Sequence, residues 1–453
     1  MSTNETIREH ARDIPVYRKC DVLVVGGGPA GTAAAASAAK LGADTVLVER
    51  YGYLGGMSTG GLVLYIDRQT DWRGNLVIAG FATEILDRLP RKAILGPDKK
   101  HWGSKDALQA AYWRERHNAF HGIVTYSPSI DPEWLKIVSF DVMVERKVDL
   151  MLHCWGAAPI QDGNSIKGVI FESKEGRKAV LAKIVIDATG DGDIFALAGA
   201  AYESDVVEED IHCTMNVAFR WAGCDFNRYL SFQFEHAADF DALMARGSEI
   251  GVSARPYVSP RPDVVYFMSP KLHGYSCINI KDLTAVEIES RRLMVKILDF
   301  YRMKVPGFEH AYIMDTAPQM GVRSSRRLVG VKKVVREEWL AGKVQEDEIG
   351  LCPAPSPAYP TVSVPLGCLT PAKLENLLVA GRNLSCDASS HTFLREIPVC
   401  WMMGQAAGTA AAIAIAAGVK VRDVDVKRVR RELLTQGAAL QTDLVPALLA
   451  SAT

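Results

Sequence analysis

Residues 19–50, KCDVLVVGGGPAGTAAAASAAKLGADTVLVER, leave the chain few ways to fold. Asp21–Val25 is a short apolar run with β-branched residues, of the kind buried in a parallel sheet. Gly26, Gly28 and Gly31 follow at G-x-G-x-x-G spacing, with Pro29 and Ala30 between them. An alanine-rich helix over 30–41 leads to a second apolar strand over 45–48. In such a turn the first glycine makes the strand-to-helix corner and the second lets backbone approach a pyrophosphate. The third lets helix and strand pack closely. The pyrophosphate rests on free N–H groups at the positive end of the helix dipole. Glu49 closes the second strand 18 residues after Gly31, where a carboxylate accepts from ribose hydroxyls and repels a 2′-phosphate. The stretch predicts a dinucleotide site, open to FAD or NAD.

A chain of 453 residues has room for two cores sharing one ligand. Its 52 basic and 53 acidic side chains nearly cancel, and no basic stripe interleaved with aromatics is present, which speaks against a nucleic-acid partner. The nine cysteines are dispersed, with no C-x-x-C pair and no zinc spacing, so no metal site is expected. They read as reduced core thiols of a cytoplasmic protein. The charged first 19 residues lack the apolar core of a signal peptide and suggest a mobile arm. Trp401–Val419 carries no formal charge, but its glycines, alanines and Gln405 make it a poor membrane span and a good buried helix.

After Glu49 and Arg50 come two glycine pairs, Gly55-Gly56 and Gly60-Gly61, separated by Met57, Ser58 and Thr59. This is either a flexible surface loop or, as its position after Glu49 favours, a loop wrapping the ligand. Helical spacing marks 81–89 and 106–120, and Asp131-Pro132 is a good cap for a helix to about Glu145. Strands are expected over 150–157, 168–173 and 183–187, the last running into Ala188-Thr-Gly-Asp-Gly-Asp193. That turn suggests a second ligand contact. Residues 200–360 mix short strands (215–221, 264–268, 275–280) with helices near 235–247 and 283–303. Within them Arg323, Arg326 and Arg327 form either a solvated or internally paired basic face or an anion- or substrate-binding site. A strand over 376–380 then enters Gly381-Arg-Asn-Leu-Ser-Cys-Asp387, followed by His391, Arg395, Glu396 and the small-residue helix.

Three separated motifs, VVGGGPAG with Glu49, IDATGDGD, and NLLVAGR with GQAAG, resemble the glutathione-reductase-like flavoprotein superfamily. With LGGMST and the GVRSSRR segment they look like its FAD-dependent oxidoreductase family. The resemblance spans about Pro15 to Gly418. It implies FAD and an α/β, Rossmann-like FAD-binding domain, a parallel sheet with a β-meander, built from both chain ends. An inserted mixed α+β substrate domain completes the chain. The segments expected are 1–61, 131–200 and 361–453 for FAD, 62–130 as a substrate or cap segment, and 201–360 as the substrate domain. By this resemblance Gly26, Gly28, Pro29, Ala30, Gly31 and Glu49 hold the ADP half, and Arg50 with Gly55, Gly56, Met57 and Ser58 borders the pyrophosphate. Gly156 and Ala157 contact adenine, while Thr189, Gly190 and Asp191 line the same half. Gly381, Arg382 and Asp387 lie beside the ribityl chain. Gly404, Gln405 and Ala406 present a helix N-terminus to the flavin, unless they only form a tight packing face.

The expected activity is hydride transfer between a small organic substrate and flavin N5, with an electron acceptor or donor left open. Arg395, Arg323 and His391 are the expected catalytic set, Arg395 as a charge near flavin or substrate. His391 serves as proton donor or acceptor or merely packs near the ring. The family often has a histidine where Ala388 stands. No cysteine lies between Cys20 and Cys154, which argues against a dithiol relay, and no histidine between Ser58 and Lys100, which argues against that tether. A second nicotinamide-type fingerprint is missing as well. The alternatives are a flavin-containing nucleic-acid modification factor and a non-catalytic flavin-binding subunit.

Overall fold

One long strand, Gly176–Asp187, holds the main sheet together by doing two jobs on one edge. A computed structural model describes residues 5–204, 214–249, 251–252 and 255–441 of the chain. On one side this strand runs parallel to Val16–Val25 along almost its whole length. On the other, its first half pairs antiparallel with Ser165–Ser173, and its last three residues pair parallel with Leu377–Val379. Thr45–Val48 and Asp149–Met151 extend the parallel part beyond Val16–Val25, and Trp155–Asp162 closes the meander. The result is an α/β, Rossmann-like sheet of seven strands.

Sequence explains this arrangement locally. Val22, Leu23 and Val24 are fully buried on both faces, as a central parallel strand requires. Helix Pro29–Lys40 follows at once with Pro29 in its first turn. Strand Val16–Val25 begins earlier than the apolar run, because Val16 to Cys20 pair with the meander strand; the expected mobile arm therefore stops before Val16. The expected single strand over 150–157 is two strands in different parts of the sheet. His153, at φ 55°, breaks the extended path between them. Helix 106–120 shortens to Ala107–Arg114, ending before His117 at φ 56° and a small hairpin. Residues 275–280 form no strand: the Asn279 side chain accepts from the N–H groups of Lys281 and Asp282 and starts helix Ile280–Lys304.

A second, antiparallel sheet orders Tyr257–Val258, Val265–Phe267, Phe219–Ala222 and Tyr312–Thr316. Trp221, Phe267, Tyr301 and Phe308 interlock beneath it in edge-on and tilted contacts, which fixes it as a rigid wall. Helix Ile397–Ala417 is long and apolar enough to cross a bilayer, yet 89% of its most apolar window is buried inside the protein. Seven cysteines are free and buried, and Cys277 is free and half-buried. Cys213 lies outside the described residues.

Candidate active site

A cavity of about 410 Å³ opens where the parallel strands end, a size common for small-molecule sites. Its floor is the first glycine turn. Gly26 sits at φ 102°, and a β-carbon there would come within 2.4 Å of the Ala188 carbonyl oxygen. A β-carbon on Gly31 would strike the Gly26 carbonyl oxygen at 1.7 Å, so helix and strand touch backbone to backbone. Gly28 is different: a β-carbon there would meet nothing nearer than the Gly56 Cα at 3.9 Å and would project into open space on the cavity wall. Gly28 is also the N-cap and offers no side-chain cap, so the first N–H groups of the helix are left for a ligand. Pro29 and Ala30 line the same wall.

Glu49 is 7% exposed and lines the cavity. Its Oε2 accepts from the Gly27 N–H at 2.5 Å and its Oε1 from the Tyr51 N–H at 2.8 Å. Those bonds fix the carboxylate in place, while burial raises its pKa. Arg50 lies over the rings of Tyr51 and Trp155 at 4.9 and 5.0 Å. The loop after it folds on itself. Gly55, at φ 94°, bonds to the Gly27 carbonyl; the Ser58 hydroxyl donates to the Gly55 carbonyl at 2.7 Å. Gly56 and Met57 thus face the cavity, with Gly55 and Ser58 behind them.

The second turn is organised from beneath by Asp187, a residue the sequence motif contains but whose role it hides. Its fully buried carboxylate accepts from the N–H groups of Thr189, Ile194 and Phe195 and from the Thr189 hydroxyl at 2.7 Å. Burial nonetheless pushes its pKa up to about 6. Thr189, Gly190 and Asp193 line the cavity. Asp191 turns away to pair with Arg382; burial would raise its pKa, but the Arg382 charge and hydrogen bonds hold it below the usual range. Gly156 lines the wall, whereas Ala157, next along the strand, is not part of it. Gly381 and Arg382 complete this side.

Several expectations are corrected by this geometry. Asp387 is not on the cavity wall. It caps helix Ala388–Leu394 by accepting from the Ser390 N–H at 2.7 Å, and takes a second bond from the Arg336 N–H. His391 is also turned away: it is 2% exposed and its Nε2–H donates to the Arg382 carbonyl at 2.8 Å. Burial, then the Arg395 charge, lowers its pKa to about 3. Gly404, Gln405 and Ala406 are not a helix N-terminus, because the helix begins seven residues earlier at Ile397 behind Glu396, with Pro398 in its first turn. Gly404 and Gly408 instead lie against the carbonyls of Ala30 and Ala34. Gln405 accepts from the Phe81 N–H and donates to Gln436. The helix end that borders the cavity comprises Glu396, Ile397 and Cys400.

The arginine triplet divides. Arg326 pairs with Asp193 at 3.0 Å, Arg327 bonds the Cys386 carbonyl and Glu203, and Arg323 alone of the three lines the cavity. There it joins Arg395, Glu396, Tyr65, Asp67 and Tyr257. The Tyr65 hydroxyl donates to Asp67 at 2.7 Å. Burial raises the Glu396 carboxyl above its ordinary range, with Arg395, 3.7 Å away, pulling the other way. Sequence reasoning missed Tyr65, Asp67 and Tyr257, for which no motif gives a signal, and passed over Glu396 although it adjoins Arg395.

A family described as FAD dependent oxidoreductase matches residues 21–433. Among characterised proteins, digeranylgeranylglycerophospholipid reductase 2 of Methanopyrus kandleri is 27% identical over 285 residues, covering 59% of this chain and 63% of that protein. Dihydrolipoyl dehydrogenase of Trypanosoma brucei brucei is 53% identical over 45 residues, 10% of this chain and 9% of the other. The chain thus matches less than two thirds of the length of either relative. A solved geranylgeranyl bacteriochlorophyll reductase-like protein from Thermoplasma acidophilum superposes with a TM-score of 0.45 at 14% identity, covering 92% of this chain and 82% of that one.

Proposed function

The chain belongs to the FAD dependent oxidoreductase family and takes FAD as its cofactor, and from that premise we propose that it oxidises or reduces a small organic substrate by hydride transfer. What carries the reading is one cavity bordered both by the uncapped glycine turn with Glu49 and by a cluster of Arg323, Arg395, Glu396 and Tyr65. The first group suits the ADP half of the cofactor and the second suits a substrate. Bound FAD supplies a hydride acceptor or donor at ring N5.

The protein's own side chains do the rest. Ile397 brings the positive end of a 21-residue helix to the wall, where it stabilises negative charge without reorganising. Glu396, part-buried and raised in pKa, takes the proton that an alcohol or amine substrate must lose as its C–H hydride departs. Asp67 takes the proton of the Tyr65 hydroxyl in a hydrogen bond, which leaves the phenol oxygen to accept from a substrate, and burial holds that phenol protonated. Tyr257, from the second sheet, and Met268, just past the end of its strand Val265–Phe267, cover the site against water.

The test is anaerobic. The purified protein should be yellow, and its flavin absorbance should bleach with a substrate and return with an electron acceptor. A yellow protein that no small alcohol, amine or carboxylate bleaches, and that no reduced nicotinamide reduces, would match a non-catalytic flavin subunit instead.

A further inference from the structure

One tyrosine hydroxyl at the substrate end of the cavity has no partner among the described residues. Tyr257 stands on the edge strand of the second sheet, and two stacked rings hold its own ring in place. His117 lies against it at 4.0 Å and 24°, and its cross-strand neighbour Tyr266 at 5.2 Å and 24°. A ring packed in this way has little freedom to turn. Tyr257 lines the cavity, and unlike the Tyr53 hydroxyl its own is not sealed in the interior. The charges acting on it are those of Arg323, Asp67 and Glu396, all on the same wall. Burial raises its pKa above the ordinary phenol value, so the proton stays on the oxygen at neutral pH.

The neighbouring tyrosine is set the other way. Tyr65 gives its proton to Asp67 in a hydrogen bond of 2.7 Å, so towards a ligand its oxygen can only accept. Tyr257 keeps its proton to donate. A neutral donor fixed in a part-buried wall suits an oxygen that gathers negative charge as it gives up its proton. It does not suit a nitrogen that becomes a cation on oxidation. The end of helix Ile397–Ala417 on this wall has the same preference, because its positive pole also favours negative charge.

Resting on the flavoenzyme reading above, we propose that Tyr257 is a catalytic residue whose hydroxyl donates to the reacting oxygen of the substrate, which makes alcohols and their carbonyl products the substrate class rather than amines. In the oxidising direction the substrate O–H bond breaks towards Glu396 and its C–H bond yields a hydride to the bound FAD. A C=O bond forms, the carbon is oxidised and the flavin is reduced. The Tyr257 proton is not transferred. It stays on the phenol and stabilises the charge on the oxygen between the alcohol and the carbonyl compound.

The experiment is anaerobic stopped-flow of the FAD-loaded full chain with benzyl alcohol, cyclohexanol and 2-propanol, each beside the amine of the same carbon skeleton. At least one alcohol should bleach the flavin, and its matched amine should do so at least about tenfold more slowly, the worth of one charge-assisted hydrogen bond. Tyr257→Phe keeps the stacked ring and removes only the hydroxyl, so its urea midpoint and flavin spectrum should stay at the wild-type values. Its reduction by the same alcohol should be about 10²-fold slower. Amines that bleach as fast as alcohols, a yellow protein that none of the alcohols bleaches, or a Tyr257→Phe variant that reduces at the wild-type rate overturns the proposal. The comparison of alcohols with amines needs no variant to fold. A protein that amines or reduced nicotinamide bleach while alcohols do not loses this proposal alone, whereas one that is colourless, or that nothing bleaches, loses the flavoenzyme reading with it.

Discussion

Gly404 lies so close to Ala30 that a β-carbon on it would stand 2.1 Å from the Ala30 carbonyl oxygen. Four residues on, Gly408 repeats the contact with Ala34 at the same distance. The two helices therefore meet backbone to backbone, and Ala30 is itself part of the cavity wall. Gly404→Ala must push helix Ile397–Ala417 off helix Pro29–Lys40. The expected cost is about 1–3 kcal/mol of stability from overpacking, with weaker FAD binding because the displaced helix carries Ile397 away from the site. Urea unfolding of the cofactor-free protein and a flavin-fluorescence titration measure the two effects. Unchanged stability would mean that the helices separate without strain.

Glu49 offers a sharper test of the cofactor end. Both its oxygens already accept a backbone N–H, so Glu49→Gln turns one acceptor into a donor that faces another donor. The lost bond and the mismatch are internal to the protein, so they should lower its stability without FAD by about 1.5–3 kcal/mol. A weaker FAD dissociation constant beyond that, measured at a temperature where both proteins are folded, reports the contact of the carboxylate with the cofactor itself. An unchanged constant would take Glu49 out of the cofactor site.

His391 belongs to stability rather than to turnover. Its pKa falls from 6.5 to about 3 on folding, because burial and the Arg395 charge disfavour the cation. The unfolded chain takes up a proton below about pH 6.5 that the folded chain refuses. The stability this residue contributes is thus fully present above pH 6.5 and is lost as pH falls towards 3, at up to about 1.4 kcal/mol per pH unit. His391→Gln, which retains an N–H for the Arg382 carbonyl, should flatten that slope in denaturant melts between pH 7 and 4. Its flavin reduction rate should keep the wild-type pH profile.

The α/β fold and FAD were legible in the sequence because both are written in local terms. Gly26, Gly28, Gly31 and Glu49 sit within one strand–helix–strand unit whose spacing the cofactor dictates. Asp387, His391 and Gly404 misled for a common reason. A short acid, a histidine and a small residue each have a structural use that only tertiary packing reveals: a helix cap, a buried donor and a helix contact. For Gly404 the deciding fact is where the helix starts, and Glu396 and Pro398 set that start seven residues upstream. Tyr65, Asp67 and Glu396 meet across more than 300 positions of sequence, and nothing in their neighbourhoods announces the meeting.

Glu396 carries the last prediction. It is a carboxyl beside Arg323 and Tyr257 on the cavity wall, its pKa raised by burial, and Arg395 beside it limits the rise. A group so placed must be ionised to accept a proton, so the rate of substrate-driven flavin reduction should fall as pH drops through its raised pKa. Glu396→Gln removes the acceptor while keeping size and polarity, and should cost about 10²–10⁴ in that rate, with the flavin spectrum and FAD affinity near wild type. Asp67→Asn should cost less, because Asp67 acts through the Tyr65 hydroxyl it orients. Anaerobic stopped-flow of both variants across pH 5 to 9 separates the two. If Glu396→Gln reduces at the wild-type rate with its pH dependence intact, the proton leaves by way of Asp67 or solvent, and the carboxylate at 396 serves only to balance Arg395.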